Sequence, residues 1–346
     1  MTTIIHTLPK VDLSRALLGA VDAELLARLD DSIDASQAAT ELAGYGKDGI
    51  ESWLAGLDAV AARLQRPAQV ETIAYVIGQR LIEESVVHVE MQVDPLRPAL
   101  APNQVVDALE RGFERASEDS DDALLSWCIL AEARRGDDAA AWSAAFATLQ
   151  KAAGERLKAI VITGDERVEA DALIEAVKAA RAGSETELGL VVTAGFGGGK
   201  RELTAALELE PTRVLHGGAL LRADDAIAAL RARRVPVVAL PGIDSRCSLG
   251  RAGAPPVLGR LIDAGLFATI ASGAPGILAS TMSEELESLS LSLGWRLDQL
   301  RTATARAVEA AYIDPKLRFV VARAVENWRH RSRLTAGGNE DGGYGL

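Results

Sequence analysis

The sequence predicts an α/β protein: a closed (β/α)8 TIM barrel with extra helices after the first strand and at the C-terminus. Eight short apolar, β-rich runs recur along the 346 residues. The segments between them repeat apolar residues at intervals of three and four, the spacing of a helix with one buried face. Strands alternating with helices in this way pair in parallel. Eight such units close into a barrel, with reactive groups at the carboxyl ends of the strands.

The runs cover residues 11–13, 86–93, 124–130, 159–163, 188–193, 213–216, 235–240 and 267–271. Helical spacing is clear in Val105-Val106-Leu109 with Phe113, and in Ala172-Leu173-Ala176-Val177 with Ala180. Residues 20–84 hold extra helices, a lid-like insertion between the first two strands, and 295–328 read as two or three packing helices. One domain is expected over 1–333, followed by a flexible Gly-rich tail at 334–346.

With 48% hydrophobic residues the chain can bury a large core, and its net charge of -12 argues against nucleic acid or an anionic membrane as partner. Two cysteines, Cys128 and Cys247, form no disulfide framework and point to a reducing compartment. The N-terminus shows no basic run followed by an apolar stretch, and no uncharged segment approaches the ~20 residues that span a bilayer. The expectation is a cytoplasmic protein with a small-molecule ligand, no cofactor, and an oligomeric state left open.

Leu8-Pro9-Lys10-Val11-Asp12-Leu13 runs into Ser14-Arg15-Ala16-Leu17-Leu18-Gly19. Far downstream come Val192-Thr193-Ala194-Gly195-Phe196, then Arg213-Val214-Leu215-His216-Gly217, then Ala271-Ser272-Gly273-Ala274-Pro275. In this order the segments resemble the adenosine deaminase family, part of the metal-dependent amidohydrolase superfamily. Val87-His88-Val89-Glu90-Met91-Gln92-Val93 fits the family's second strand, and Gly164-Asp165-Glu166 keeps its Gly-Asp-Glu after the fourth. The resemblance covers about residues 8 to 330.

The resemblance implies zinc ligands where this chain has Ser14, Ala16, Thr193 and Gly273, a general-acid glutamate at Phe196, and a second aspartate at Ala274. It implies that His216, which is retained, orients the attacking water, and that the Gly164 amide contacts a purine ring. Hydroxyls are poor neutral zinc donors, so no bound metal is expected. Replacement of the acid by Phe196, and of two carboxylates by Gly273 and Ala274, would make the mouth neutral and more apolar.

Each remaining feature has two readings. His216 is either a general base or an inherited histidine satisfied by its neighbours. Gly164 serves a ligand or merely a tight turn. Asp165 and Glu166 would begin a helix, where carboxylates suit the dipole. Gly195 to Arg201 invites a phosphate-loop reading but fails the template at Ala194 and Arg201, so a flexible glycine turn is preferred. Arg15, Arg246 and Arg251 would bring positive charge to the mouth, and Cys247 would be reactive if Arg246 stabilised its thiolate. His6, His88 and His330 read as too scattered for a replacement metal site.

The candidate site is therefore His216 as the catalytic residue, with Ser14, Gly164, Thr193, Phe196, Asp244 and Ser272 against a ligand. The leading expectation is a ligand-binding or regulatory protein on a deaminase scaffold, without zinc-dependent deamination, for a purine- or nucleoside-like molecule. The alternatives are an enzyme with metal-free chemistry centred on His216, a regulatory subunit of an active paralogue, and a true adenosine deaminase. Whether the chain is an enzyme stays open at this point.

Overall fold

The computed structural model describes residues 2–121, 123, 125–195, 198–247 and 256–336, the side chains of 2, 3 and 329–336 excepted. Eight parallel strands pair in sequence order: β1 (Lys10–Ala16), β2 (Val86–Val93), β3 (Ser126–Arg134), β4 (Leu157–Thr163), β5 (Gly189–Ala194), β6 (Arg213–His216), β7 (Val237–Ala239) and β8 (Ala268–Ile270). A bridge between Arg15 and Gly273 brings the two ends of the sheet together, with Ala16 N to Gly273 O and Gly273 N to Ser14 O both at 2.8 Å. This is the expected TIM barrel.

Local chemistry explains the elements. β4 and β5 are runs of Ile, Val and Leu, residues that suit strands buried on both faces. The helix Ala139–Ala153 starts where the Asp138 side chain accepts from Ala141 N at 2.8 Å. The helix Pro102–Glu118 buries Val105, Val106, Leu109 and Phe113 along one face, as the spacing predicts. Proline opens it at a position whose N–H would have no partner in any case.

Between β1 and β2 lie the helices Ala23–Leu29, Ala35–Gly44, Ile50–Arg63 and Pro67–Glu83, so the insertion at 20–84 is helical. Asp22 and Asp34 cap the first two. The third, Ile50–Arg63, lies over the mouth. After β8 come Met282–Leu293, Leu297–Ala310 and Pro315–Ala336, the last running three residues into the stretch expected to be a flexible tail. Residues 337–346 lie outside the described part.

Candidate active site at the barrel mouth

The strand ends converge on a cavity of about 60 Å3, lined among others by Ser14, Gln92, Glu132, Thr193 and His216. Trp53, Leu54 and Leu57 of the helix Ile50–Arg63 close it from above. A space of that size admits a few waters, each taking about 10–15 Å3 of it. A purine-sized ring therefore enters only if this lid helix backs away.

His216 ends β6 with φ +67, in the left-handed region that a side chain other than glycine rarely adopts. The strained turn carries the imidazole into the cavity, and Gly217 continues it at φ +82 with its N–H on Ala194 O at 2.8 Å. Strain of this kind persists where the surroundings over-determine it, commonly at functional sites. His216 Nδ1 lies 2.6 Å from Asp244 Oδ1, on the helix Pro241–Arg246 that follows β7. A carboxylate on one ring nitrogen fixes the tautomer and aims the other, as in hydrolase sites generally.

Four of the expected site residues line this cavity: Ser14, Gly164, Thr193 and His216. Ser14 Oγ accepts from Gln92 Nε2 at 2.9 Å, whereas Thr193 Oγ1 is buried with no hydrogen-bond partner among the described residues. Asp244 acts on the cavity through His216. Ser272 does not face it, because its N–H and hydroxyl both go to Asp12. Phe196 and Arg251 lie outside the described residues.

Several sequence expectations change here. Arg15 and Arg246 do not reach the mouth; they wall a separate cavity of about 380 Å3 behind β1 and the segment after β8. Ser14 and Ala16 face the mouth, so strand alternation puts the Arg15 side chain on the other face, with its Nε on Asp12 Oδ2 at 2.9 Å. Arg246 Nη1 reaches the carbonyls of Leu42 and Tyr45, each at 3.3 Å, and so ties the lid insertion to the β7 loop. Cys247 is buried, and burial followed by the Asp244 charge raises its thiol to about 12, so it is not a nucleophile. Glu166 does not begin a helix: its carboxylate accepts from Gly195 N at 2.9 Å and Gly198 N at 2.8 Å. Those amides are spent on a protein carboxylate, which removes the phosphate-loop reading.

Two carboxylates that no motif marked stand at the mouth. Glu132, near the end of β3, lines the cavity and its Oε1 accepts from Thr163 Oγ1 at 2.5 Å. Asp94, just beyond β2, lines an adjoining crevice with Glu132, Arg97 and Arg134. It accepts from Arg97 Nη1 at 2.7 Å, yet burial, followed by the Glu132 charge, raises it to about 7. The sequence signal was there in the period-two alternation of the strands, which puts Gln92 and Glu132 on the inner face.

A further group lies below the mouth. His88, Glu90 and Cys128 place ligand atoms within 4.8 Å of one another, all three residues buried. His88 and Glu90 share the inner face of β2, and Cys128 of β3 pairs with Glu90 in register. The expectation of scattered histidines is thus corrected: only one of them belongs to this group, and its partners are a carboxylate and a thiol. Imidazole, carboxylate and thiol are zinc-ligand chemistry, whereas Ser14, Thr193, Ala16 and Gly273 at the rim are not. Burial, ahead of the charges of Arg213, Arg318 and Lys158, holds His88 down at about 3, and burial holds the Cys128 thiol well above its ordinary value. Glu90 is bonded to both terminal nitrogens of Arg213 and accepts from Tyr312 N at 2.6 Å.

The fold and the strand-end site define a (β/α)8 barrel with a buried polar site at the carboxyl ends of its strands. A family profile described as adenosine deaminase matches residues 9–328, and the chain belongs to that family. An adenine deaminase of Rhodospirillum rubrum is 27% identical over 326 residues, covering 90% of this chain and 94% of that protein. An amidohydrolase of Burkholderia ambifaria with bound zinc superposes with a TM-score of 0.81 at 21% identity, covering 97% of this chain and 94% of the other. ADAL from Arabidopsis, complexed with IMP, superposes with a TM-score of 0.82 at 16% identity, covering 96% and 99%.

These findings overturn the leading functional expectation, a binding or regulatory protein without deaminase chemistry. That reading weighed only the rim positions implied by motif letters, and a strand's inner-face residues are invisible to such a count. The relatives are adenine deaminases, and a His–Glu–Cys group of metal-ligand chemistry sits inside the barrel. Among the described residues no helix is long and apolar enough to cross a membrane.

Proposed function

We propose that this chain is a deaminase-type hydrolase that releases an exocyclic amine from a purine-like base or nucleotide held at the barrel mouth. The observation that carries the reading is His216, strained into a largely apolar cavity and fixed by Asp244 at 2.6 Å. The adenine deaminase relatives and the IMP-bound neighbour point to the same substrate class.

In this reading the lid helix Ile50–Arg63 withdraws, admits the ring, and excludes bulk water on return. Trp53, Leu54 and Leu57 cover its apolar face. His216, oriented by Asp244, polarises the attacking water, a task suited to imidazole near neutral pH. Ser14 and Thr193 offer hydroxyls to ring nitrogens. A zinc ion would find its donor types at His88, Glu90 and Cys128, where it would supply a fixed positive charge between β2 and β3. Holding it there requires Cys128 to lose its proton and Glu90 to leave Arg213.

The test is amine release from adenine, adenosine, AMP and N6-methyl-AMP, run beside metal analysis of the same preparation. Release that falls in His216→Asn protein of unchanged thermal stability supports the proposal. A folded wild-type protein that releases amine from none of the four sinks it.

A further inference from the structure

Among the described residues lining the mouth cavity, Glu132 is the one carboxylate and His216 the one imidazole. The other walls are apolar side chains, hydroxyls, the Gln92 amide and glycine backbone. Hydrolytic loss of an amine moves a proton from water to the leaving nitrogen, so the site needs a group able to accept it and give it back. We propose that Glu132 carries that proton, with Asp94 as its positioning partner. This rests on the deaminase reading above and names the residue that would complete it.

The placement supports the role. Glu132 stands near the end of β3, across the barrel from His216 on β6. Its Oε1 is held by Thr163 Oγ1 at 2.5 Å, which fixes the carboxyl without neutralising it. Arg97 and Arg134 share the adjoining crevice but are bound elsewhere: Arg97 to Asp94 at 2.7 Å, Asp137 at 2.7 Å and Asp58 at 3.0 Å, Arg134 to Asp58. The groups that bear on Glu132 are therefore His216 across the cavity, Asp94 beside it, and those two arginines with their own acidic partners. Burial, followed by the Glu132 charge, raises Asp94 to about 7, so the carboxyl beside Glu132 responds to its charge.

Glu132 carboxylate takes a proton from water as the water oxygen bonds to the amine-bearing ring carbon and the ring C=N pair moves onto the ring nitrogen. That pair then returns to the ring, the bond to the exocyclic nitrogen breaks with its electron pair leaving on nitrogen, and Glu132 returns the proton to it. The products are ammonia and the hydroxy form of the ring, which becomes the oxo form as its hydroxyl proton passes to the ring nitrogen, with Glu132 again a carboxylate.

The experiment compares wild type, Glu132→Gln and Asp94→Asn by pH–rate profile and by proton exchange on binding adenine, read calorimetrically in buffers of different ionisation enthalpy. Glu132→Gln should cut kcat about 10²- to 10³-fold with little change in KM. It should also abolish the acid-side limb and reduce the proton exchange, Asp94 keeping what its burial sustains. Asp94→Asn should keep most of kcat and move that limb to lower pH, a change that a merely structural role would not produce. Wild-type turnover with Glu132→Gln retaining its rate and limb overturns this assignment alone. Wild type without turnover, but with proton exchange reduced in Glu132→Gln, sinks the deaminase reading and keeps the proton site. Equal proton exchange in both proteins, or no binding of adenine, overturns the assignment.

Discussion

The floor and the mouth of this barrel each hold a histidine and a carboxylate on inward faces, and the two layers treat them oppositely. Below, Glu90 is fully buried and bonded to both terminal nitrogens of Arg213, which also reaches Leu13 O at 3.0 Å and Ala310 O at 2.6 Å and lies over the Tyr312 ring. Above, Thr193 Oγ1 and Asp244 Oδ2 have no partner among the described residues, and burial, followed by the Glu132 charge, raises Asp94 to about 7. Arg213 Nε also lacks a partner among the described residues, so the layers differ in that the floor pairs its opposite charges with each other while the mouth leaves the Thr193 hydroxyl without a bond, and a polar group left so is equipped for a ligand. The N-terminal end of a TIM barrel carries stability and the C-terminal end chemistry, and this chain draws the boundary between Glu90 and Gln92.

The largest effect should come from breaking the floor. Arg213→Met strands the Glu90 charge in the interior, and loss of one partner of a buried pair costs about 3–5 kcal/mol. Urea unfolding measures it; a loss under about 1 kcal/mol would mean that the floor is not what holds β2 to β6.

Next comes the mouth. His216→Asn should lower amine release about 10²- to 10³-fold while the unfolding midpoint stays close to wild type. A stability loss matching that of Arg213→Met would erase the distinction between the layers.

The two layers should also tilt stability with pH in opposite senses. His88 sits near 3 when folded against 6.5 normally, so between those values the unfolded chain binds the extra proton. That contribution is lost as pH falls from about 6.5 toward 3, and His88→Gln should flatten it. Asp94 sits near 7 against 3.8, so the folded chain binds the extra proton and stability falls as pH rises through that window. Asp94→Asn should remove this slope. Unfolding free energies from pH 4 to 8 for both variants check the signs.

The smallest effect is Thr193→Val. Replacing a buried hydroxyl that has no partner by a methyl should leave stability equal or about 1 kcal/mol higher, while binding of adenine weakens. Lower stability would show that the hydroxyl serves the fold.

What the sequence made legible follows the same divide. β2 and β6 begin and end where the residue types predicted, and all eight strands lie at or beside their apolar runs. β3 runs on to Arg134, four residues past its apolar stretch, because Glu132 and Arg134 are polar residues at the mouth end of a strand. That polarity ended the hydropathy signal at the place where the site begins. His216 was visible because a motif surrounds it. Asp244 was visible as a neighbour of the site, but its bond to His216 spans 28 positions and exists only in space. Glu132, Asp94 and the Glu90–Arg213 pair carry no motif, and their meaning comes from which strand faces which. The outward face of Arg15 follows from strand alternation once Ser14 is known to face the mouth.

The most direct test of the account is oxygen incorporation. Protein, adenine and heavy-oxygen water are incubated together, and the ring product is weighed by mass spectrometry. Hydrolysis at the mouth predicts one heavy oxygen on the released base with wild type and its loss with His216→Asn. An unlabelled product, or equal labelling by the variant, would contradict it.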